Sequence, residues 1–407
     1  MAATAKPTAA RHRGLAAMLA SLSAVGPFSI DAYLPSMPEI GRVLAAPPLL
    51  VQQTLTAYMA PFAVMTLWHG AISDALGRRR VTLTVLALFV LASVGCTLAW
   101  SIESLLAFRV LQGMTAGAGM VIGRAIVRDV LEGAEAQRLM SQVTLVFAVA
   151  PAVAPVLGGW LHVWFGWRAV FAFLVLFSGA VWLLCWRSLP ETLPPNRRQP
   201  LKADYLFRSY RTVLTTAPFV MLSLAVTFNF AAIFIYIVSA PKFLMEHLHV
   251  GETGFLWLFG PATVGMVAGA WGSGRLAGRR TRGQTVALGY VIMGTAAAGN
   301  VLLNLLVAPG LPWSVVPIFV YFAGSALAMP SLTLMALDLF PAQRGLAASC
   351  QSFIQTTGNA LTTAVVAPLV WASTLTLAVG QAVMLAMGLA AFVLYLRLNR
   401  PGRAAGA

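Results

Sequence analysis

Apolar stretches of membrane-crossing length follow one another along almost the whole chain, and the cationic side chains are sorted into alternate gaps between them. A bilayer core is ~30 Å thick, so a crossing helix needs ~20 mostly apolar residues. Spans fall at 15–37, 50–72, 81–100, 104–127, 137–162 and 167–187, then at 214–240, 250–274, 284–307, 312–337, 345–369 and 372–396. Of the 27 Lys and Arg residues, all but Arg42, Arg109, Arg168 and Lys242 belong to one side of this alternation. Basic residues beside a span are retained in the cytoplasm. The pattern therefore predicts an even number of spans with both termini cytoplasmic.

A chain that is 59% hydrophobic and 10% charged cannot cover a water-facing surface. It must be an integral membrane protein in contact with the lipid bilayer. The net charge of +15 could suggest nucleic acid, but the positives sit in short clusters between spans and read as topology signals, so no nucleic-acid partner is expected. Arg far outnumbers Lys, beside heavy Ala and Gly use, which points to a GC-rich bacterial source and hence to the inner membrane. Cys96, Cys185 and Cys350 each stand alone in an apolar run and suggest neither a disulfide nor a metal site. Lys6, Arg11 and Arg13 precede a stretch too long for a cleaved leader, which is read as the first span.

The segment from Arg187 to Arg211 is polar, basic and broken by Pro190, Pro194, Pro195 and Pro200. It reads as a cytoplasmic linker at 188–213 between six-helix halves at 1–187 and 214–407. A repeat supports the division. Gly77-Arg78-Arg79 after the second span matches Gly278-Arg279-Arg280 after the eighth, and Ala136-Gln137-Arg138 before the fifth matches Ala342-Gln343-Arg344 before the eleventh. Aligning the Gly-Arg-Arg units puts Arg275 where Asp74 stands, so the second loop is expected to make different interactions. Parallel six-span repeats with a site between them are the build of a secondary transporter.

A charge inside hydrocarbon costs at least ~2.5 kcal/mol, and two need an account. Asp31 lies ~24 Å along the first span, and Arg109 lies ~6 Å into the fourth from the opposite surface. At this similar depth the two could meet, or sense each other through water, with Asp31 taking up and releasing a proton and Arg109 tuning it; a static ion pair is the alternative. Gly113, Gly117, Gly119 and Gly123 on the fourth span, with Ala150, Ala154 and Gly158 on the fifth, allow close helix packing. Pro151 and Pro155 favour a bend in the fifth. In the second half Gln351, Gln355 and Asn359 share a face of the eleventh span, and Asn229 lies among Phe228, Phe230, Phe234 and Tyr236. Amides among aromatics suit an amphiphilic ligand, while interhelical hydrogen bonding would explain them equally. His247 and His249 near Glu246 and Glu252 sit in a short turn, and no metal is expected there. No phosphate-binding loop occurs, so no cofactor is implied and any pumping would run on an ion gradient.

These motifs resemble a family. Gly70-x3-Asp74-x2-Gly77-Arg78-Arg79-Arg80 is similar to the signature between the second and third helices of the major facilitator superfamily, Arg109-x2-Gln112-Gly113 to its fourth-helix motif. Ala150-x3-Ala154-Pro155-x2-Gly158-Gly159 resembles its fifth-helix antiporter motif, with Ala154 where glycine is usual. Ile30-Asp31-x-Tyr33-Leu34-Pro35-x2-Pro38, with Arg124-x3-Arg128-Asp129, resembles the Bcr/CflA branch of drug:proton antiporters. The resemblance implies an all-α fold of twelve transmembrane helices in two pseudo-symmetric six-helix bundles, with alternating access. It implies that Asp74 latches the cytoplasmic face against the start of the eleventh helix, with Arg78 and Asp129 in the same cluster.

The expected function is export of hydrophobic or amphiphilic small molecules in exchange for protons, by a monomer. Asp31 and Arg109 would couple protons. Tyr33, Gln112, Phe228, Asn229, Phe234, Tyr236, Gln351, Gln355 and Asn359 would line the cavity. Gly70, Asp74, Gly77, Arg78, Asp129, Pro151, Pro155, Gly158 and Gly159 would serve conformational change. Transport of a neutral metabolite, or a receptor or membrane-embedded enzyme, would be the alternatives. An enzyme would require a clustered catalytic set, and the sequence displays none.

Overall fold

The structure, a computed structural model, describes residues 9–131, 133–198, 201 and 203–399. Lys6, Pro200, Lys202 and the side chains of Arg11, Arg13, Gln137, Arg138 and Arg197 lie outside the described parts. The first half comprises α1 (Ala9–Asp31), the short α2 (Met37–Val43), α3 (Pro48–Leu76), α4 (Arg78–Thr97), α5 (Ile102–Ala116), α6 (Ala118–Val130), α7 (Gly133–Phe165) and α8 (Trp167–Ser188). Then come α9 (Ala203–Thr215), α10 (Ala217–Val238), α11 (Leu256–Leu276), α12 (Arg282–Leu306), α13 (Val316–Leu337), α14 (Arg344–Leu361), α15 (Ala367–Val370) and α16 (Thr374–Leu398). A single-turn π segment joins α14 to α15, and another, Pro241–His247, follows α10. With α5–α6 and α14–α15 each counted as one crossing, and α2 and α9 lying between crossings, the described residues pass from end to end twelve times.

Local chemistry sets several boundaries. Ser101 caps α5, Thr281 caps α12 and Ser373 caps α16, each through a reciprocal capping box with the residue three positions on. Gly77 ends α3 with φ +100°, and Gly278 follows α11 with φ +77°, both in the left-handed region that a side chain disfavours. The repeated glycine thus makes the same kind of turn in each half. α7 continues through Pro151 and Pro155 without a break.

The packing repeats too. α1 lies against α7 and α8 as α10 lies against α14 and α16; α3 against α5 as α11 against α13; α4 against α5 and α8 as α12 against α13 and α16. Between the halves α3 meets α14, and α7 meets α11, pairs that exchange under the same correspondence. Eight crossings are apolar enough to span a membrane by hydropathy alone. α3 and α14 fall short of that test, because they carry Gln52, Gln53 and His69, and Gln351, Gln355 and Asn359. The crossings that face the other half, rather than lipid, are the ones that tolerate polar groups.

Candidate functional site

Arg109 of α5 is 0% exposed and organises the interior of the first half. Its Nε donates to the Thr54 carbonyl of α3 at 3.3 Å, and one terminal nitrogen donates to the Ser29 carbonyl of α1 at 3.0 Å and to Gln112 Oε1 at 2.8 Å. Gln112 Nε2 in turn donates to Ser93 Oγ of α4 at 2.8 Å. The guanidinium lies 4.6 Å from the Tyr33 ring centroid and 4.4 Å from that of Tyr58, a cation–π clamp. Tyr33 shares a 2.9 Å hydrogen bond with Thr54. One cation therefore joins α1, α3, α4 and α5, and Tyr33 and Gln112 belong to this cluster rather than to a cavity wall.

Asp31 closes α1 and is buried. Its carboxyl has no hydrogen bond or ion pair among the described residues, and Arg109 does not reach it although Ser29, two residues away, is an Arg109 partner. The first and fourth spans are neighbours, as a meeting of the two would require, but the static pair does not form. Immediately after Asp31, the Ala32 carbonyl packs against Gly158 of α7 so closely that a Cβ on Gly158 would overlap it. On the next residue, a Cβ on Gly159 would overlap the Glu252 carbonyl ahead of α11. The two glycines thus make α7 a thin partition between the Asp31 turn and the second half.

At the arginine-rich end Arg78 pairs with Asp74 and, through Nε at 3.0 Å, with Asp129; its backbone N–H donates to Glu191 at 2.9 Å. Asp74, expected to reach the start of α14, instead holds Arg78 four residues along its own loop, and no hydrogen bond of the described residues joins it to α14. The second half builds a counterpart from a different register: Arg282 and Arg344 both pair with Asp338. Arg282 starts α12 as Arg78 starts α4, and Asp338 ends α13 near where Asp129 ends α6. Alignment on Gly-Arg-Arg hid this equivalence, because Arg279, Arg280 and Thr281 separate Gly278 from the helix start, whereas Arg78 follows Gly77 directly. Hydrogen bonding to Arg282, with the charges of Arg282 and Arg344, holds the Asp338 carboxyl below the usual carboxylate range. Gly70 packs on Val121 of α6.

The second-half amides divide. Asn229 Nδ2 donates to the Tyr290 hydroxyl at 3.0 Å, which donates to the Gly388 carbonyl at 2.9 Å. Asn300 Nδ2 donates to the Tyr236 hydroxyl at 2.7 Å and to Gln381 Oε1 at 2.8 Å. Asn229 and Tyr236, expected in the cavity, therefore tie α10 to α12 and α16 inside the second half. Their partners Tyr290, Asn300, Gln381 and Tyr321, whose hydroxyl donates to the Asn229 carbonyl at 3.4 Å, escaped sequence reading because each sits in a mainly apolar run. On α14, by contrast, Gln351 and Asn359 are buried with one amide atom each lacking a partner, and Gln355 is half-buried. Phe230 stacks on Phe234 with centroids 5.8 Å apart, and Phe228 is half-buried on the same helix. His69 on α3 was also missed: it is buried, and neither ring nitrogen has a well-formed partner. A histidine in a membrane span was the available signal. His247 bonds to the Trp371 carbonyl at 2.9 Å, and no group of three or more His, Cys, Asp or Glu among the described residues could hold a metal.

The halves are bonded to each other at the arginine-poor end. Gln53 Nε2 donates to the Ala364 carbonyl at 3.3 Å, and Thr363 Oγ1 lies 3.5 Å from the Met59 sulfur. This two-bundle geometry can be compared with known proteins. A sequence profile described as Major Facilitator Superfamily matches residues 19–363. The chain belongs to that superfamily. It is a multi-pass membrane transporter. It is similar to an uncharacterized MFS-type transporter, YdgK of Bacillus subtilis (strain 168), with 33% identity over 82% of this chain and 83% of that protein. It is also similar to the chloramphenicol resistance protein of Pseudomonas aeruginosa, with 32% identity over 70% of this chain and 67% of that one. Its fold matches a bacterial homologue of the human lysosomal transporter Spinster in an inward-facing, occupied conformation, with a TM-score of 0.74 and 15% identity across 97% of this chain and 98% of the other.

Proposed function

We propose that this transporter exports hydrophobic or amphiphilic drugs across the bacterial inner membrane in exchange for protons, with Asp31 as the proton carrier. The observation that carries this reading is the buried carboxyl of Asp31 at the end of α1, which has no hydrogen bond or ion pair among the described residues and lies one residue before the contact with Gly158. A charge held without a partner at membrane depth costs several kcal/mol, and taking up a proton removes that charge. The change occurs beside Ala32, whose carbonyl rests on α7, and the opposite side of α7 rests on the second half. A shift of the Asp31 turn can therefore bias the packing between the halves, which is what coupling requires. The basic end would face the cytoplasm, with both termini there.

The amide atoms of Gln351 and Asn359 on α14 that lack partners among the described residues, and the Phe230 and Phe234 pair on α10, which packs against α14, would offer hydrogen bonds and aromatic surface to a molecule held between the halves. The resistance function in the name of the Pseudomonas relative, and the first-helix motif shared in kind with drug antiporters, favour a drug over a nutrient. The Arg78, Asp74 and Asp129 cluster would brace the cytoplasmic end of the first half as the bundles rock.

The test is proton release from acidified inverted vesicles, followed with a pH-sensitive dye as antibiotics and lipophilic dyes are added. Wild type is expected to release protons when a substrate arrives. Asp31→Asn is expected to insert normally and give no release. Full drug-driven exchange by the variant would remove Asp31 from the mechanism.

A further inference from the structure

A cavity of about 340 Å³ opens between the halves at the arginine-poor end, within the range of small-molecule sites. It lies between α2 with the start of α3 on one side and the π segment after α10 with Trp371 on the other. Val51, Val238 and Trp371 supply apolar wall. Two lining groups are buried polar side chains without partners: Gln52, 2% exposed, through Nε2, and Ser239, 1% exposed, through Oγ. Lys242 lies 5.2 Å from the Trp371 ring centroid and 2.7 Å from Glu246, and Arg42 adds a second cation to the lining.

We propose that this cavity is a docking site, separate from the α14 face, for an amphiphilic organic molecule with an apolar body and an anionic, hydrogen-bond-accepting end. Gln52 Nε2 can only donate, and Lys242, paired with Glu246, and Arg42, 3.9 Å from Glu39, each carry further N–H donors at the lining, so it favours a hydrogen-bond-accepting, negatively charged end. The body lies along Val51, Val238 and the Trp371 ring. Gln53, the neighbour of Gln52, makes the hydrogen bond that crosses to Ala364. The site therefore sits just outside the closing contact, and its occupant touches both halves. Binding favours the arrangement in which this end is shut, since only there do both walls converge. The identification of the occupant with an exported compound on the outer face rests on the proposed export function; the site itself does not.

The test is cysteine protection in the full-length protein reconstituted in lipid nanodiscs. Ala46 lines the cavity and is half-buried, whereas Cys96, Cys185 and Cys350 are buried, so Ala46→Cys places one reactive thiol at the site. Anthracene-9-carboxylate is expected to slow maleimide labelling of Ala46→Cys several-fold, and the cationic dye rhodamine 6G is not. Adding Gln52→Leu or Lys242→Met is expected to restore most of the unprotected rate. Lys242→Met alters a partly exposed side chain and carries the reading if Gln52→Leu fails to fold. No slowing by the carboxylate, equal slowing by the cation, or slowing that survives both variants would overturn the site. The assay needs no gradient. Protection without drug-triggered proton release would keep this site and remove the export function, and release without protection would do the reverse.

Discussion

Arg109 is a buried cation whose hydrogen bonds all go to neutral oxygens, supported by two aromatic faces. The fork of the guanidinium lets one side chain reach α1, α3 and Gln112 at once, and an ammonium cannot reproduce that planar geometry. Arg109→Lys is expected to lower stability by about 3 kcal/mol, from the loss of two or more charged hydrogen bonds in a dry interior. Thermal unfolding in detergent would read this as a lower midpoint, and an unchanged midpoint would mean that the cluster contributes nothing to the bundle. Asp31 and Arg109 were both visible in sequence, since a charge in an apolar run declares itself. Their lack of contact was not, because helix depth is readable from residue count while helix rotation is set by neighbours. Gln112, Tyr33 and Ser29 became Arg109 partners through that rotation.

At the scale of helices, the glycine pair on α7 decides how closely three elements meet. Alanine at Gly158 would drive its Cβ into the Ala32 carbonyl, a backbone atom that no rotamer change can move aside. Gly158→Ala is therefore expected to part α1 from α7 and reduce proton-coupled exchange by more than about tenfold, through loss of packing that has no hydrophobic substitute in a membrane. Gly159→Ala acts on the other face: it pushes on the Glu252 carbonyl and should loosen the closed end, raising the maleimide labelling rate of Gln53→Cys. Exchange at the wild-type rate in Gly158→Ala would show that this contact is not part of coupling. The small-residue spacing predicted close approach but not its partners. The mirrored arginine–aspartate groups show the same gap: Gly77 and Gly278 matched as a motif, yet the equivalent of Arg78 is Arg282, because an ion pair follows the start of the next helix rather than the count from a glycine.

For the whole molecule, hydropathy and charge sidedness were sufficient to predict twelve crossings, since every backbone group in lipid must be satisfied within a helix, while the basic linker and the repeated Gly-Arg-Arg and Ala-Gln-Arg units were needed to predict two halves. They could not predict where the halves touch, because those contacts depend on how individual helices are rotated and packed rather than on composition. In the structure the halves meet at the arginine-poor end through Gln53 with Ala364 and Met59 with Thr363. If transport depends on these bundles parting there, fixing that contact must stop it. A cysteine pair at Gln53 and Ala364, joined by a short reducible cross-linker, is expected to abolish substrate-triggered proton release, and reduction is expected to restore it. The buried native thiols leave the engineered pair as the accessible target. Each single cysteine treated in the same way should retain exchange, which separates a tether from a modified side chain. Linked protein that still exchanges at the wild-type rate would mean that this end need not open, and the alternating movement of two rigid halves would have to be abandoned for this chain.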